Sequence, residues 1–112
     1  MSNTVFGLTR SMRYFLYDHP VRMNSGIYAL SGIVINELGM DPTDGSVYIF
    51  LSKNEKMIKI LHYHNNGFTL YTRRIYHGRF IYPNMDPTTG KYIYDWPRLR
   101  RLINGYATVS RD

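Results

Sequence analysis

The sequence predicts an α+β fold: a meandering antiparallel β-sheet packed with an N-terminal and a C-terminal α-helix. Apolar residues recur at helical spacing in one segment near each end of the chain. Between those segments, short runs rich in β-branched and aromatic residues alternate with turn residues. With 112 residues, the chain is long enough for one modest core and too short for two. We therefore expect a single domain over residues 12–105, a loose N-terminal arm at 1–11 and a frayed tail at 106–112.

The first predicted elements are a strand over residues 12–17 and the N-terminal helix within NSGIYALSGIVINELG. Asn24 or Ser25 can cap the start of this helix, and Gly39 is placed to end it in the left-handed region. The helix is predicted because apolar residues recur at helical spacing, at Ile27, Leu30, Val34 and Leu38.

Three strands are predicted next, over residues 46–52, 57–63 and 68–75, joined by polar links. The HNNG turn between the last two can close at Asn65-Asn66, at Asn66-Gly67, or as a three-residue loop with a glycine bulge. Each choice changes which side chains face the core, so the register stays open. Gly78 marks a further turn that needs a positive φ.

The last predicted elements are short strands at 79–82 and 91–94 and the C-terminal helix. Asp95 is a candidate cap for this helix, Pro97 lies in its first turn, and Gly105 ends it. Its apolar residues are Leu99, Leu102 and Ile103.

Composition restricts the class of protein. The chain has 14 Lys and Arg against 8 Asp and Glu, a net charge of +6, which favours a polyanionic partner and also aids solubility. Its 11 tyrosines exceed what a core of this size can satisfy, so many should be half-exposed. The absence of cysteine excludes disulfides and thiolate metal sites. No apolar run reaches membrane-spanning length, and we expect a cytoplasmic protein without membrane contact.

Metal binding and catalysis find little support. His62 and His64 point to one face of a strand, as metal ligands would need, but the sequence offers no evident third ligand. Polar residues beside a turn are the favoured interpretation, so neither a metal nor another cofactor is predicted. Asp41 and Asp44 sit at turn positions where backbone hydrogen bonding accounts for them. No catalytic motif is present, and we predict that the protein is not an enzyme.

Basic and aromatic residues coincide in the LYTRRIYHGRF segment at 70–80 and around it. Guanidinium groups pair with phosphates and tyrosine rings stack on bases, so the pattern favours a nucleic-acid surface. The tyrosines interleaved with the basic residues are Tyr48, Tyr63, Tyr71 and Tyr76. The alternative interpretation is a solvated basic rim, with tyrosines at the edge of the core. The candidate binding residues are Lys59, Tyr63, Tyr71, Arg73, Arg74, Arg79, Arg98 and Arg101.

Three segments in order, LGMDPTDGSVYIF, MIKILHYHNNGFTLYTRRIYHGRFIYP and a closing leucine-rich helix, resemble a known family. It is the family of small accessory proteins, called TnpB or second-open-reading-frame proteins, of insertion-sequence sixty-six bacterial transposons. The resemblance implies a non-catalytic helper in transposition, encoded beside a separate transposase. It implies DNA, as transposon ends or non-specific duplex, or the transposase as partners, and no small-molecule substrate. The alternative is an interaction module that docks on the transposase or self-associates without contacting nucleic acid.

The chain departs from the family pattern before the first helix. Many relatives have an Asp-Met-Arg-Lys-Gly element there, whereas this chain has Arg-Met-Asn-Ser-Gly at 22–26. The acid and both basic residues of that element are therefore altered, and its role is not carried over to this chain.

Overall fold

Residues 14–74 build a four-stranded sheet with one helix, in the order β1-β2-β3-β4. The computed structural model describes residues 8, 9 and 11–80, together with 88, 97, 100, 101, 108 and 109. The elements in these residues are β1 (Tyr14–Leu16), α1 (Ile27–Asn36), β2 (Val47–Leu51), β3 (Met57–His64), β4 (Gly67–Arg74), β5 (Arg79–Phe80) and β6 (Thr108–Val109).

The sheet is mixed, so the prediction of an antiparallel meander is right for β2, β3 and β4 and wrong for β1. Strand β1 runs parallel to β2, with Tyr14 opposite Val47 and Leu16 opposite Ile49. The cause is α1, which lies between β1 and β2 in the chain. A connecting helix returns the chain to the end of the sheet where β1 started, whereas a short link would have reversed its direction.

Both faces of the sheet are covered, which explains why β2 reads as the continuous apolar run VYIFL and is buried along its whole length. On one face, which we call the helix face, Tyr48, Phe50 and Leu61 pack with Leu30 and Val34 of α1. On the opposite face lie Val47, Ile49, Leu51, Ile58 and Ile60, packed with Leu8 and Phe80.

The ends of α1 match the sequence prediction in part. Gly26 is the N-cap residue and no side chain caps the helix there, so the predicted caps at Asn24 or Ser25 are wrong. The C-terminal prediction is confirmed: the helix ends at Asn36 and Gly39 has a φ of 64°, in the left-handed region. The Met40 N–H then donates to the Val34 carbonyl at 3.0 Å, which fixes the turn away from α1.

The β3–β4 turn settles the register that the sequence left open. Asn65 and Asn66 both have positive φ, at 49° and 63°, and His64 pairs with Gly67. This is a two-residue hairpin with type I′ geometry, the kind whose twist matches its flanking strands. The predicted turn at Gly78 is confirmed as well, with a φ of 77°.

The terminal predictions lie largely outside the described residues. Of the predicted C-terminal helix, Pro97, Arg100 and Arg101 have helical backbone, and the strand predicted at 91–94 is not described. Leu8, within the predicted arm, is buried in the core. Thr108–Val109, within the predicted tail, pairs with Arg79–Phe80. In the part of the chain that the structure describes, no helix has the length and apolar character to cross a bilayer.

Candidate nucleic-acid interface

Three chain segments that are distant in sequence meet at one end of the sheet, where β2 and β4 finish and β3 begins. The Val21 N–H donates to the Leu51 carbonyl at 2.9 Å, which brings the segment after β1 beside the β2–β3 link. On the other side of that link, the Ile75 N–H donates to the Lys56 carbonyl at 2.8 Å. The Phe80 N–H bonds to the Glu55 carbonyl at 2.6 Å. These bonds hold residues 21–25, 52–56 and 73–80 together at this end.

The side chains gathered there are mainly cationic, and we call this region the basic end. Its width is set by a row of four cross-strand neighbours: Val21, Ser52, Met57 and Arg74. The three strand spacings between these four residues make the basic end about 14 Å wide. Among the described residues, the acids near this end are Asp18 and Glu55. Its basic residues, all exposed except the half-buried Lys56, are Arg22, Lys53, Lys56, Arg73, Arg74 and Arg79.

The opposite end of the sheet carries negatively charged side chains. Glu37 follows the last turn of α1, and Asp41 and Asp44 lie in the loop before β2. Arg13, which lies at this end, is paired with Asp44 at 3.3 Å. Within residues 11–80, every exposed arginine or lysine other than Arg13 therefore lies at the basic end.

The predicted arginines converge at the end of a strand and not on one face of the sheet. Arg73 lies opposite Ile58 and Arg74 opposite Met57, so their side chains leave β4 on opposite faces. Tyr71 shares the face of Arg73. Tyr63 shares the face of Arg74 but sits at the far end of the hairpin, where its hydroxyl donates to the Asn66 side chain at 3.2 Å.

Lys59 differs from the predicted arginines of the basic end because it is not exposed. It is buried on the helix face with 7% exposure, and its ammonium donates to the Ser25 carbonyl at 2.7 Å. Burial lowers the pKa of Lys59, since the charged form is disfavoured away from water. Arg101 is exposed with helical backbone, and Arg98 lies outside the described residues.

Lys53, Lys56 and Arg22 belong to the basic end but not to the candidate residues predicted from the sequence, and Arg22 was the hardest of the three to infer. It stands about thirty residues before Lys53 in the chain, and no periodic pattern connects the two positions. The parallel bridge between Val21 and Ser52 brings them together. Tyr76, 79% exposed, adds an aromatic ring on the β4 side of the basic end, two residues after Arg74.

The histidine pair shows no metal geometry in the described residues. The rings of His62 and His64 stack with centroids 4.9 Å apart, and His64 shares a 3.1 Å hydrogen bond with Thr69. Within the described ranges, no three metal-ligating side chains of His, Cys, Asp or Glu come together. The turn role predicted for two carboxylates is confirmed, because Asp41 accepts from the Thr43 N–H and Asp44 from the Ser46 N–H.

The fold and the charge distribution define a small mixed α-β protein with one cationic end. The chain belongs to the family described as IS66 Orf2 like protein, whose family model matches residues 12–111. The resemblance stated from the sequence is thereby confirmed. Membership implies an accessory role in the transposition of IS66 elements, in a family that is not known to be catalytic.

Two curated relatives, both from Sinorhizobium fredii (strain NBRC 101917 / NGR234), are similar along much of the chain. The uncharacterized protein y4jC is 25% identical over 107 residues, which cover 87% of this chain and 92% of the relative. The uncharacterized protein y4hO is 25% identical over 77 residues, covering 69% of this chain and 67% of the relative. No solved structure matches the chain significantly.

Proposed function

We propose that this transposition accessory protein binds the sugar-phosphate backbone of duplex DNA through its basic end. The observation that carries the proposal is the separation of charge along the sheet. Lysine and arginine residues from three distant segments meet at one end, while Glu37, Asp41 and Asp44 lie at the other. Solubility alone requires a net charge and not its concentration at one end.

The chemistry of the basic end suits phosphate. Arginine presents a planar fork of donors that fits phosphate oxygens, and most of the cations at this end are arginines. The region is an exposed strand end of about 14 Å, which spans several phosphates of one duplex face. Such contacts position a protein on DNA without reading its sequence. A protein with this role works in the bacterial cytoplasm, beside the transposon DNA.

The test is fluorescence anisotropy on labelled duplexes across a salt series. One duplex carries the terminal inverted repeat of the element and the other a shuffled sequence. We expect Arg74→Ala and Arg79→Ala each to weaken binding. Each should also flatten the slope of log affinity against log salt, by about 0.9 for every phosphate that the variant no longer neutralises. Thermal unfolding of each variant checks that the fold is retained.

Arg13→Ala is the matched control, because it removes the same charge at the opposite end of the sheet. The Arg13 side chain is 63% exposed, and Asp44 keeps its hydrogen bonds from Ser46 and Tyr48, so the substitution should change stability little. Affinity that falls equally in Arg13→Ala and Arg74→Ala would contradict the proposed location. Unchanged affinity in both basic-end variants would contradict DNA binding by this surface.

Docking on the transposase is a second candidate function for the same end. Exposed apolar and aromatic side chains lie among the cations there, at Met23 (42% exposed) and Tyr76 (79% exposed). Aromatic residues, methionine and arginine are all enriched in protein interfaces. Binding to purified transposase that disappears in Tyr76→Ala, and that depends only weakly on salt, would favour this function over DNA binding.

A further inference from the structure

The outward face of α1 is uncharged and mainly apolar, although it points away from the core. Leu30 and Val34 face the sheet, while Tyr28 is 94% exposed and Ile35 54% exposed on the other side. The sequence of the helix, IYALSGIVIN, contains no charged residue. A helix on the surface of a protein normally carries charged and polar residues on its outer face. An uncharged outer face instead suits contact with another protein surface.

Gly32 lies at the centre of this outward face, four residues after Tyr28 and three before Ile35. A Cβ built at Gly32 meets only the Asn36 side-chain nitrogen, at 4.0 Å, so packing within the chain does not require glycine there. Glycine inside a helix lowers its stability relative to alanine. Its place at the centre of the exposed face fits the close approach of a second backbone.

We propose that α1 docks, antiparallel, on α1 of a second copy of this chain across a twofold axis at Gly32. A twofold interface uses one patch twice, so that patch must carry both a projection and a recess. Tyr28 is the projection. The recess is an open groove of about 450 Å³ along which Tyr28 forms one wall; the rest of its lining is Tyr17, Ala29, Gly32, Ile33, Asn36 and Glu37.

The spacing along the helix brings projection and recess together. Tyr28 and Asn36 each lie four residues from Gly32, which is about 6 Å along the helix axis. In the antiparallel arrangement, Tyr28 of one copy therefore faces Asn36 of the second copy. The side chains of Asn36 and Glu37 offer oxygen acceptors to the tyrosine hydroxyl, while the apolar lining receives the ring.

Charge also favours a second copy in this orientation. The helix starts at the basic end, close to Arg22, and finishes at the end that carries Glu37, Asp41 and Asp44. Antiparallel packing places the acidic end of each copy beside the basic end of the other, and the residues of α1 itself add no charge to the contact. Two chains of net charge +6 can thus associate without bringing their basic ends together.

Sedimentation velocity across about 1–300 µM tests the proposal, since this range covers the dissociation constants of small interfaces. We expect a concentration-dependent dimer of the wild-type chain. Gly32→Glu places two carboxylates at the twofold axis and should weaken the dimer more than about tenfold. Tyr28→Ala should weaken it because the projecting ring is removed. Tyr76→Ala is the control, because it removes an exposed aromatic outside this face and should leave the dimer intact.

Two results would overturn the proposal. One is a wild-type chain that stays monomeric over the whole range, and the other is a dimer that survives both Gly32→Glu and Tyr28→Ala. Because space is open at Gly32, unfolding is not the expected effect of its substitution, and melting curves at low concentration verify this for each variant.

Disulfide cross-linking locates the contact independently, since the natural chain has no cysteine. Gly32→Cys should form a cross-linked dimer rapidly under mild oxidation, because residues beside a twofold axis come within disulfide range. Thr72→Cys, an exposed position on β4, should cross-link slowly. Equal rates for the two variants would count against docking at α1.

Discussion

His62 is a buried ionisable residue on the face of the sheet opposite α1. Its residue exposure is 5%, and its ring stacks on that of His64. Burial lowers the pKa of His62 first, and the neighbouring His64 lowers it further, while a hydrogen bond to the Gly45 carbonyl acts in the opposite direction. The folded protein therefore binds a proton at this site less readily than the unfolded chain does.

This difference predicts how stability depends on pH. Below the unfolded histidine value of about 6.5, the unfolded chain takes up the proton before the folded protein does. The free energy of unfolding should therefore fall as pH drops from about 6.5 towards the folded pKa, and this contribution should level off below it. Urea unfolding at a series of pH values measures the effect in the wild type and in His62→Gln.

Substituting each histidine separately distinguishes burial from the charge of His64 as the cause of the lowered pKa of His62. We expect His62→Gln to remove this part of the pH dependence. His64→Gln should keep most of it, because burial of His62 is the larger cause of its lowered pKa. An equal reduction in both variants would show that the repulsion between the two rings dominates.

The tyrosines show at the residue scale where sequence reasoning reaches its limit. Their number predicts that many are exposed, as Tyr28 and Tyr76 are, but it does not say which. Tyr48 is fully buried, with its hydroxyl 3.1 Å from both Asp44 carboxylate oxygens. Burial, with the nearby Asp44 charge, raises the pKa of Tyr48 to about 12. A tyrosine in a strand serves equally well in a core or on a surface, and only packing decides.

At the scale of elements, turn chemistry was more predictable than strand pairing. Gly39 and Gly78 take the left-handed conformations that their positions indicated, because few other residues adopt them without strain. The parallel pairing of β1 left no comparable signal in the chain. It depends on where α1 packs, which is a long-range outcome, and the same pairing brings Arg22 to the basic end. The part of the candidate site on β4 was therefore predictable, and the part contributed by the segment after β1 was not.

The β3–β4 hairpin depends on a left-handed backbone at both of its turn residues. Asn65 has a φ of 49°, and asparagine adopts such a backbone more readily than most residues that carry a side chain. Asn65→Ala should lower the free energy of unfolding by about 1 kcal/mol, because alanine is strained in the left-handed region. Asn65→Gly should stay within about 0.5 kcal/mol of the wild type. Chemical unfolding measures both, and equal stability of the alanine and glycine variants would contradict the type I′ assignment.

For the whole molecule, the proposed DNA binding can depend either on the amount of positive charge or on its location. The net charge of +6 follows from the sequence, but the separation of charge along the sheet arises only when the chain folds. Two glutamates make the distinction measurable. Glu55 lies in the β2–β3 link among the cations of the basic end, and Glu37 lies after α1 at the other end.

Glu55→Gln and Glu37→Gln each raise the net charge by one and conserve side-chain shape. Glutamine at position 37 also keeps an oxygen for the Tyr17 hydroxyl, which lies 3.5 Å from the Glu37 carboxylate.

A carboxylate about 8 Å from a phosphate costs about 0.5 kcal/mol in water, and a few such phosphates add to this. We therefore expect Glu55→Gln to tighten duplex binding about two- to fivefold at low salt. Glu37→Gln should change binding little, because salt screens charges across the length of the sheet. Anisotropy titrations of both variants on the same duplex decide the matter: equal tightening would assign the affinity to net charge, whereas tightening only in Glu55→Gln would assign it to the basic end.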